Sequence, residues 1–529
     1  MVKRTSKSKP GAPKSKAGIE MPELPRELVE QLLESLSKGG SMPWGQVSAV
    51  DELESAFQDF LDLDDPEERD ESGDEVLSRL SDRLDQVRVD ANGGDPRSRE
   101  ALKALRARLD RAIADEEIHP ANLIMLGKVF WLAQLPVGDN LREVVGEAMG
   151  GDAALGPENA VNIAKLALRA VESIEDPFEF YDAVASNMAA FPTKFQIALA
   201  TSVVAALKGA ARMAAVGFVL HPDEELARSV IKAFPFSAPP SVAEDAVVDR
   251  LDRVALWLEP GRRELAEAAF AAMRSSPRAT PAVAKKDVRF LASSHDGSGS
   301  NTVMACVKTG KSFAVLSVLM KAQGVFEVLA YADRSRKEAD RMVGLMGASS
   351  PLLEISAEGA AEVLALALGR NVSEGPPPPF RLVRFCEAVG WADLRPDLSS
   401  AAQLCEKLLA RSSAADLAAR APAAILSSDF VESWFEAGED VGKLLGATKS
   451  RKLATAKVLH EYLPSRRPFW ARLCATSALV FRRRVGAPDE AWKEFALAGR
   501  EIASEMPIDR IPLMVQIATR TAGVHFDRP

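Results

Sequence analysis

A chain of 529 residues, 47% hydrophobic and 27% charged, has apolar surface enough for two or more cores, or for one elongated array that never needs a large one. Its net charge of -9 argues against a surface built throughout to meet nucleic acid or anionic lipid, and leaves room for a local basic patch. Cys306, Cys386, Cys405 and Cys474 are scattered, with no Cys-x-x-Cys and no histidine at ligand spacing, so they read as small buried hydrophobes in a reducing compartment, with no metal or cofactor expected.

The first 22 residues read as a disordered basic tail. Lys3, Arg4, Lys7, Lys9, Lys14 and Lys16 stand among Ser, Pro, Gly and Ala with no acid before Glu20, a composition that buries no core. Such a tail is either a solubilising segment or a handle for an acidic partner. It lacks the apolar stretch of a secretory signal, so a cytoplasmic protein is expected.

Residues 23–95 read as N-terminal helices with an acidic loop. Leu28, Leu32, Leu33 and Leu36 share one helical face, and Val50, Leu53, Phe57, Phe60 and Leu61 share the next. The acidic run Asp62 to Glu75 starts like a calcium loop, but Pro66 replaces a ligand and Glu67 stands where the turn demands Gly. A solvated loop is expected. Asn92-Gly93-Gly94 then breaks the chain.

Over 96–280 a proline repeatedly opens a helical run, at Pro96, Pro120, Pro157, Pro177, Pro192, Pro222 and Pro260, often after a residue able to cap, as Asp95 and Asp176 are. Two of the spacings lie close to the period of HEAT-type helix pairs, about 40 residues. The rhythm predicts a repeat-like, α-solenoid or HEAT-like helical body, with a compact all-α domain as the alternative. Ala198 to Leu220 is the most apolar long stretch. Lys208 and Arg212 inside it point to a buried Ala-rich helix or pair rather than a membrane span.

The pattern changes at residues 281–346. Val288–Ala292, Asn301–Lys308 and Val325–Tyr331 read as strands, and Ser312–Met320 as a strand or short helix. Ser335 and Glu338 form a capping box for a closing helix that Met342, Val343 and Met346 would lay on the sheet. The expected fold class is therefore mainly α, with a small α/β insert of three to four strands near residues 286–346.

This insert carries the tempting motifs. Lys308-Thr309-Gly310-Lys311-Ser312 contains the Gly-Lys-Ser end of a phosphate-binding loop, but Ala305 holds the place of the first Gly, and a hairpin turn explains the same residues. His295, Asp296, Ser298 and Ser300 offer base, acid and nucleophile types around the other turn, without a Gly-x-Ser-x-Gly elbow. Asp and Ser beside glycines are also what turns select. Asp296, Ser298, Lys308 and Lys311 are kept as a candidate binding surface.

Residues 347–529 read as a C-terminal helical domain, with a proline-rich linker at 375–379 and Trp434, Trp470 and Trp492 anchoring its core. Arg466, Arg467, Arg482, Arg483 and Arg484 belong to a basic segment, 449–484, that is interleaved with Tyr462, Phe469, Trp470 and Phe481. Guanidinium groups beside aromatics suit single-strand or phosphate recognition. Helical periodicity also groups Trp470, Leu473 and Ser477 as core, with the arginines on a solvated face. No catalytic, cofactor or metal residues are expected. The reading is a non-catalytic helical scaffold that binds another macromolecule, foremost a protein and not a membrane. The alternatives are a nucleic-acid-associated protein using the tail and the basic segment, and an enzyme with its site in the insert.

Overall fold

Proline opens helices where a capping side chain stands before it. Asp95 accepts the Ser98 N–H at 2.8 Å ahead of helix Pro96–Ala114, and Asp176 accepts the Phe178 and Glu179 N–H groups at 2.8 and 3.1 Å ahead of helix Pro177–Met188. Proline costs nothing there, because the first N–H groups of a helix have no intrahelical acceptor. Pro222 differs: its helix begins at Glu224, capped by Asp223. Pro157 lies outside the described residues.

The computed structural model describes residues 49–62, 71–92, 95–148, 168–169, 171–205, 209–236, 242–271, 273, 287–349, 351–446, 448–486 and 490–527. The chain is mostly helical, with one small antiparallel sheet of five strands. The basic tail and the helix expected around Leu28 lie outside the described residues. Helices Ala49–Leu61, Glu71–Asn92, Pro96–Ala114, Pro120–Leu132 and Asp139–Ala148 bury a core around Phe57, Phe60, Leu80, Leu84 and Leu126. Of the acidic run expected as a loop, Glu71 to Glu75 lie in a helix, and residues 63–70 lie outside the described residues.

The stretch Ala198 to Leu220 is divided between helices Thr193–Ala205 and Gly209–Ala214 and a 3-10 turn, Ala215–Leu220. Its buried Arg212 is accommodated by donating to the Val204 carbonyl at 2.6 Å. Among the described residues no helix is long and apolar enough to cross a membrane.

His221 follows, buried, stacked on Trp131 at 5.3 Å and accepting the Asp223 N–H at Nδ1. Burial lowers its pKa from 6.5 to about 4. The unfolded chain therefore binds a proton between those values that the folded chain refuses. Stability is expected to be undiminished above about pH 6.5 and to fall as pH drops toward about 4. His221→Gln should flatten that part of a plot of urea midpoint against pH; an unchanged slope would show that this imidazole does not set it.

The strands are β1 (Val288–Ser293), β2 (Asn301–Thr309), β3 (Ser312–Lys321), β4 (Gly324–Arg334) and β5 (Leu352–Ile355), ordered β4-β3-β2-β1-β5. Helix Arg336–Ser349 starts at the capping box, with the Ser335 N–H donating to Glu338 at 2.8 Å and the Glu338 N–H to Ser335 Oγ at 3.3 Å. It covers one face, where Leu291, Met304 and Val315 meet Ala339, Val343 and Met346. The opposite face, with Phe290, Ala292, Val303, Ala305, Leu316 and Val318, belongs to a core that runs continuously from Val171 to Ala522. With both faces covered, the strands read as apolar runs rather than clean alternation. The sheet has one strand more than the three to four expected, because β5 falls beyond 346 and pairs antiparallel with β1.

Trp434, Trp470 and Trp492 are all buried in the large core. The proline run at 375–379 is tied to its surroundings: the Gly375 N–H donates to the Arg370 carbonyl at 2.9 Å and Asn371 Nδ2 to the Pro376 carbonyl at 2.8 Å. Asn371 also holds the start of β4, accepting the Val325 N–H at 2.8 Å. Phe380, just after the prolines, packs on Phe178 at 4.7 Å.

Candidate recognition groove

Helix Ala357–Ser373 is capped by Ser356, whose Oγ accepts the Gly359 N–H at 3.1 Å, and its last turns present Gly369, Arg370 and Ser373 to one side. Gly369 fixes what lies against them. A Cβ at 369 would stand 2.0 Å from the Asp397 carbonyl oxygen, so only glycine admits this approach. The Asp397 N–H donates to the Ala365 carbonyl at 2.8 Å, and Ser400 then opens helix Ala401–Leu409 through a capping box with Gln403. The opposite wall is helix Leu463–Arg482, with Arg467, Ala471, Arg472 and Ala475, and the end of helix Ala491–Ala503 closes one side through Ile502. Together they enclose an open groove of about 710 Å³.

Its electrostatics centre on one side chain. Arg370 is 8% exposed, its Nε has no hydrogen-bond partner, and no carboxylate lies within ion-pair distance of it among the described residues. Burial, then the nearby Arg472, lower its pKa to about 10. Arg472 reaches Glu374 at 3.7 Å and the Ala322 carbonyl at 3.4 Å. Arg467 donates to the carbonyls of Ser504, at 2.5 Å, and Met506. Asp397 is occupied by the Ser399 N–H and hydroxyl at 2.9 and 2.5 Å.

His295 is coupled to the same arginines. It is 2% exposed with both ring nitrogens unpartnered, while its carbonyl accepts the Trp434 indole N–H at 3.0 Å. Burial, reinforced by Arg370 and Arg472, pushes its pKa down to about 3, so the ring is neutral.

Of the candidate binding residues singled out in the sequence, Arg467 lines this groove, as does Arg472 of the same basic segment. Asp296 organises a turn, its Oδ1 accepting from the Ser298 N–H at 2.9 Å, the Ser298 hydroxyl at 2.7 Å and the Ser300 N–H at 2.9 Å. Lys308 and Lys311 are exposed around Gly310, whose φ of 63° turns the chain between the paired residues Thr309 and Ser312. The two turns sit at opposite ends of β2, roughly 25 Å apart at the usual rise of a strand, so they form no single site.

The other arginines are engaged within the fold. Arg466 pairs with Glu436 at 2.8 Å and lies over the Phe469 ring at 4.1 Å. Arg482 donates to the Leu408 carbonyl at 2.9 Å and lies over Trp492, and Arg483 grips Glu362 through two hydrogen bonds of 2.8 and 2.6 Å. Arg484 is exposed, its backbone bridging Ile355 at the end of β5. Sequence reasoning passed over Arg370, whose one signal is a cation closing the apolar run from Val363 to Leu368.

Residues 396–526, which supply all of the groove's lining except that from helix Ala357–Ser373 and Glu374 just after it, match the family model described as the Y4lR C-terminal helical domain. Over 477 residues, 83% of this chain and 86% of the relative, the sequence is 24% identical to the uncharacterized protein y4lR of Sinorhizobium fredii. No solved structure matches. Arg370 and Gly369 lie outside the matched segment and Arg467 and Arg472 within it, so the groove joins the C-terminal helices to the part of the chain that carries the sheet.

Proposed function

We propose that the chain is a non-catalytic helical binding protein that recognises another protein through this groove. The observation that carries the reading is a largely buried arginine lining an open groove, Arg370, whose Nε has no partner and which has no carboxylate within ion-pair distance among the described residues. Burying an unpaired charge is costly, and folds retain one where something else compensates it. Leu398, 66% exposed beside the groove, adds an apolar contact of the kind that anchors interfaces. The helices of 96–280 serve in this reading as a solenoid-like support. What favours that description is that successive helices pack as neighbours, Pro120–Leu132 on Asp139–Ala148 and Val242–Ala255 on Pro260–Ala271.

A protein partner is preferred to nucleic acid because Arg466, Arg467, Arg482 and Arg483 spend their donors inside the fold. The test is capture from lysate of the source cells after nuclease treatment, comparing the full chain with Leu398→Asp. A partner held by the full chain and lost by the variant, at unchanged melting temperature, is expected. Loss of every partner on nuclease treatment would move the reading to nucleic acid. Equal capture by both proteins would remove the groove from it.

A further inference from the structure

We propose that Arg370 and Arg472 form an oxyanion-binding site on the floor of the groove, taking a carboxylate or phosphoryl group; the proposal deepens the groove reading and rests on it. A guanidinium offers five N–H donors in a planar fork that matches two oxygens of such a group at once. Arg370 presents that fork from a buried position with its Nε unpartnered, and the charged neighbour that most perturbs it is a second arginine rather than an acid. Like charges brought together at a partly desolvated surface are stabilised by an anion between them.

Further features of the groove point the same way. The acid that pairs with Arg472 and also bears on Arg370, Glu374, is 63% exposed and 3.7 Å from Arg472, a loose contact that an incoming anion can displace. Asp397 already accepts two hydrogen bonds from Ser399, and Glu505 is exposed at the rim. On the facing side Ala401 and Ala402 line the groove as the first residues of helix Ala401–Leu409. Their N–H groups have no acceptor within the helix, since Ser400 Oγ takes only that of Gln403, and the partial positive charge of a helix start favours an anion.

The experiment is a titration of the full chain with inorganic phosphate and, separately, with acetate, at constant ionic strength against chloride. Melting temperature and tryptophan fluorescence are read, the latter because Trp470 lies on the helix that carries Arg472. A saturable response to either anion is expected, weakened at least about tenfold by Arg472→Gln, abolished by Arg370→Gln and unchanged by Lys308→Gln on the distant hairpin. A response to phosphate alone assigns a phosphoryl group, to acetate alone a carboxylate, and to both the shared oxyanion chemistry. Arg472 is 29% exposed at its side chain, so its variant is informative even if Arg370→Gln fails to fold. A response no different from chloride, or equal in all variants, would overturn the site. An anion response that persists while Leu398→Asp loses no partner leaves the site standing and removes the protein-recognition reading. Loss of the partner with no anion response does the reverse.

Discussion

Glu436→Ala is expected to cost about 3 kcal/mol of folding free energy, while Glu436→Gln costs about 1 kcal/mol. The carboxylate is 7% exposed and serves two donors through one oxygen, the Arg466 Nε and the Trp470 indole N–H, each at 2.8 Å. Its backbone N–H donates at 2.9 Å to the hydroxyl of Thr521, itself buried in the last helix, Pro512–Asp527. Truncation thus strands an indole N–H in the core and leaves a guanidinium without its partner. Arg466 is one-third exposed, so water recovers part of its loss, and the penalty falls below that of a fully buried pair. Glutamine keeps an acceptor for the indole and loses only the charge. Urea unfolding followed by tryptophan fluorescence measures both, and a loss below about 1 kcal/mol for the alanine variant would show that these donors find other partners.

Gly297→Ala is expected to destabilise by on the order of 4 kcal/mol, although it adds a single methyl group. A Cβ at 297 would stand 1.8 Å from the Ser433 carbonyl oxygen, a backbone atom that cannot rotate away. The Gly297 N–H meanwhile donates to Ser433 Oγ at 3.2 Å, so the turn and the 433 segment are in direct contact. Gly299 is constrained as well, by its φ of 84° and by the Phe469 ring, 2.8 Å from the position of an added Cβ. The matched control is Gly344→Ala on helix Arg336–Ser349, where nothing lies within 4 Å of the added carbon. That change should stabilise by about 0.5–1 kcal/mol through helix propensity alone. Thermal and urea melts of the pair check both signs. Similar values for the two variants would show that the 296–300 turn is free to move off the helices.

The insert was the most legible part of the chain because its signals are local. A strand of nine or ten residues between glycine-bearing turns, or a Ser-x-x-Glu box before Met342 and Val343, is decided by residues adjacent in sequence. The Asp95, Asp176 and Ser335 caps were readable for the same reason. β5 was not: four residues, Leu-Leu-Glu-Ile, merge with the apolar helix that follows, and only pairing with β1, some 60 residues earlier, makes them a strand. The groove was less legible still. Its arginines come from 370, 467 and 472, and what distinguishes Arg370 from Arg482 or Arg483 is the lack of a partner, which depends on the packing of distant helices. Conversely, the residues that look chemical in sequence, Asp296 and Ser298, satisfy each other within one turn.

The continuous core from Val171 to Ala522 has a consequence for how the protein is made. The inner face of the sheet is covered by helices Ala357–Ser373 and Arg381–Val389, but helix Ala357–Ser373 packs in turn on helix Leu463–Arg482, which leaves the ribosome about ninety residues after it. At the usual pace of synthesis that interval lasts roughly ten seconds, during which the apolar side of this helix waits for its cover. Such an intermediate is prone to association through that face, and the nascent chain depends on shielding until its C-terminal helices arrive. Truncations before Leu463 should therefore accumulate as aggregates rather than as smaller folded proteins.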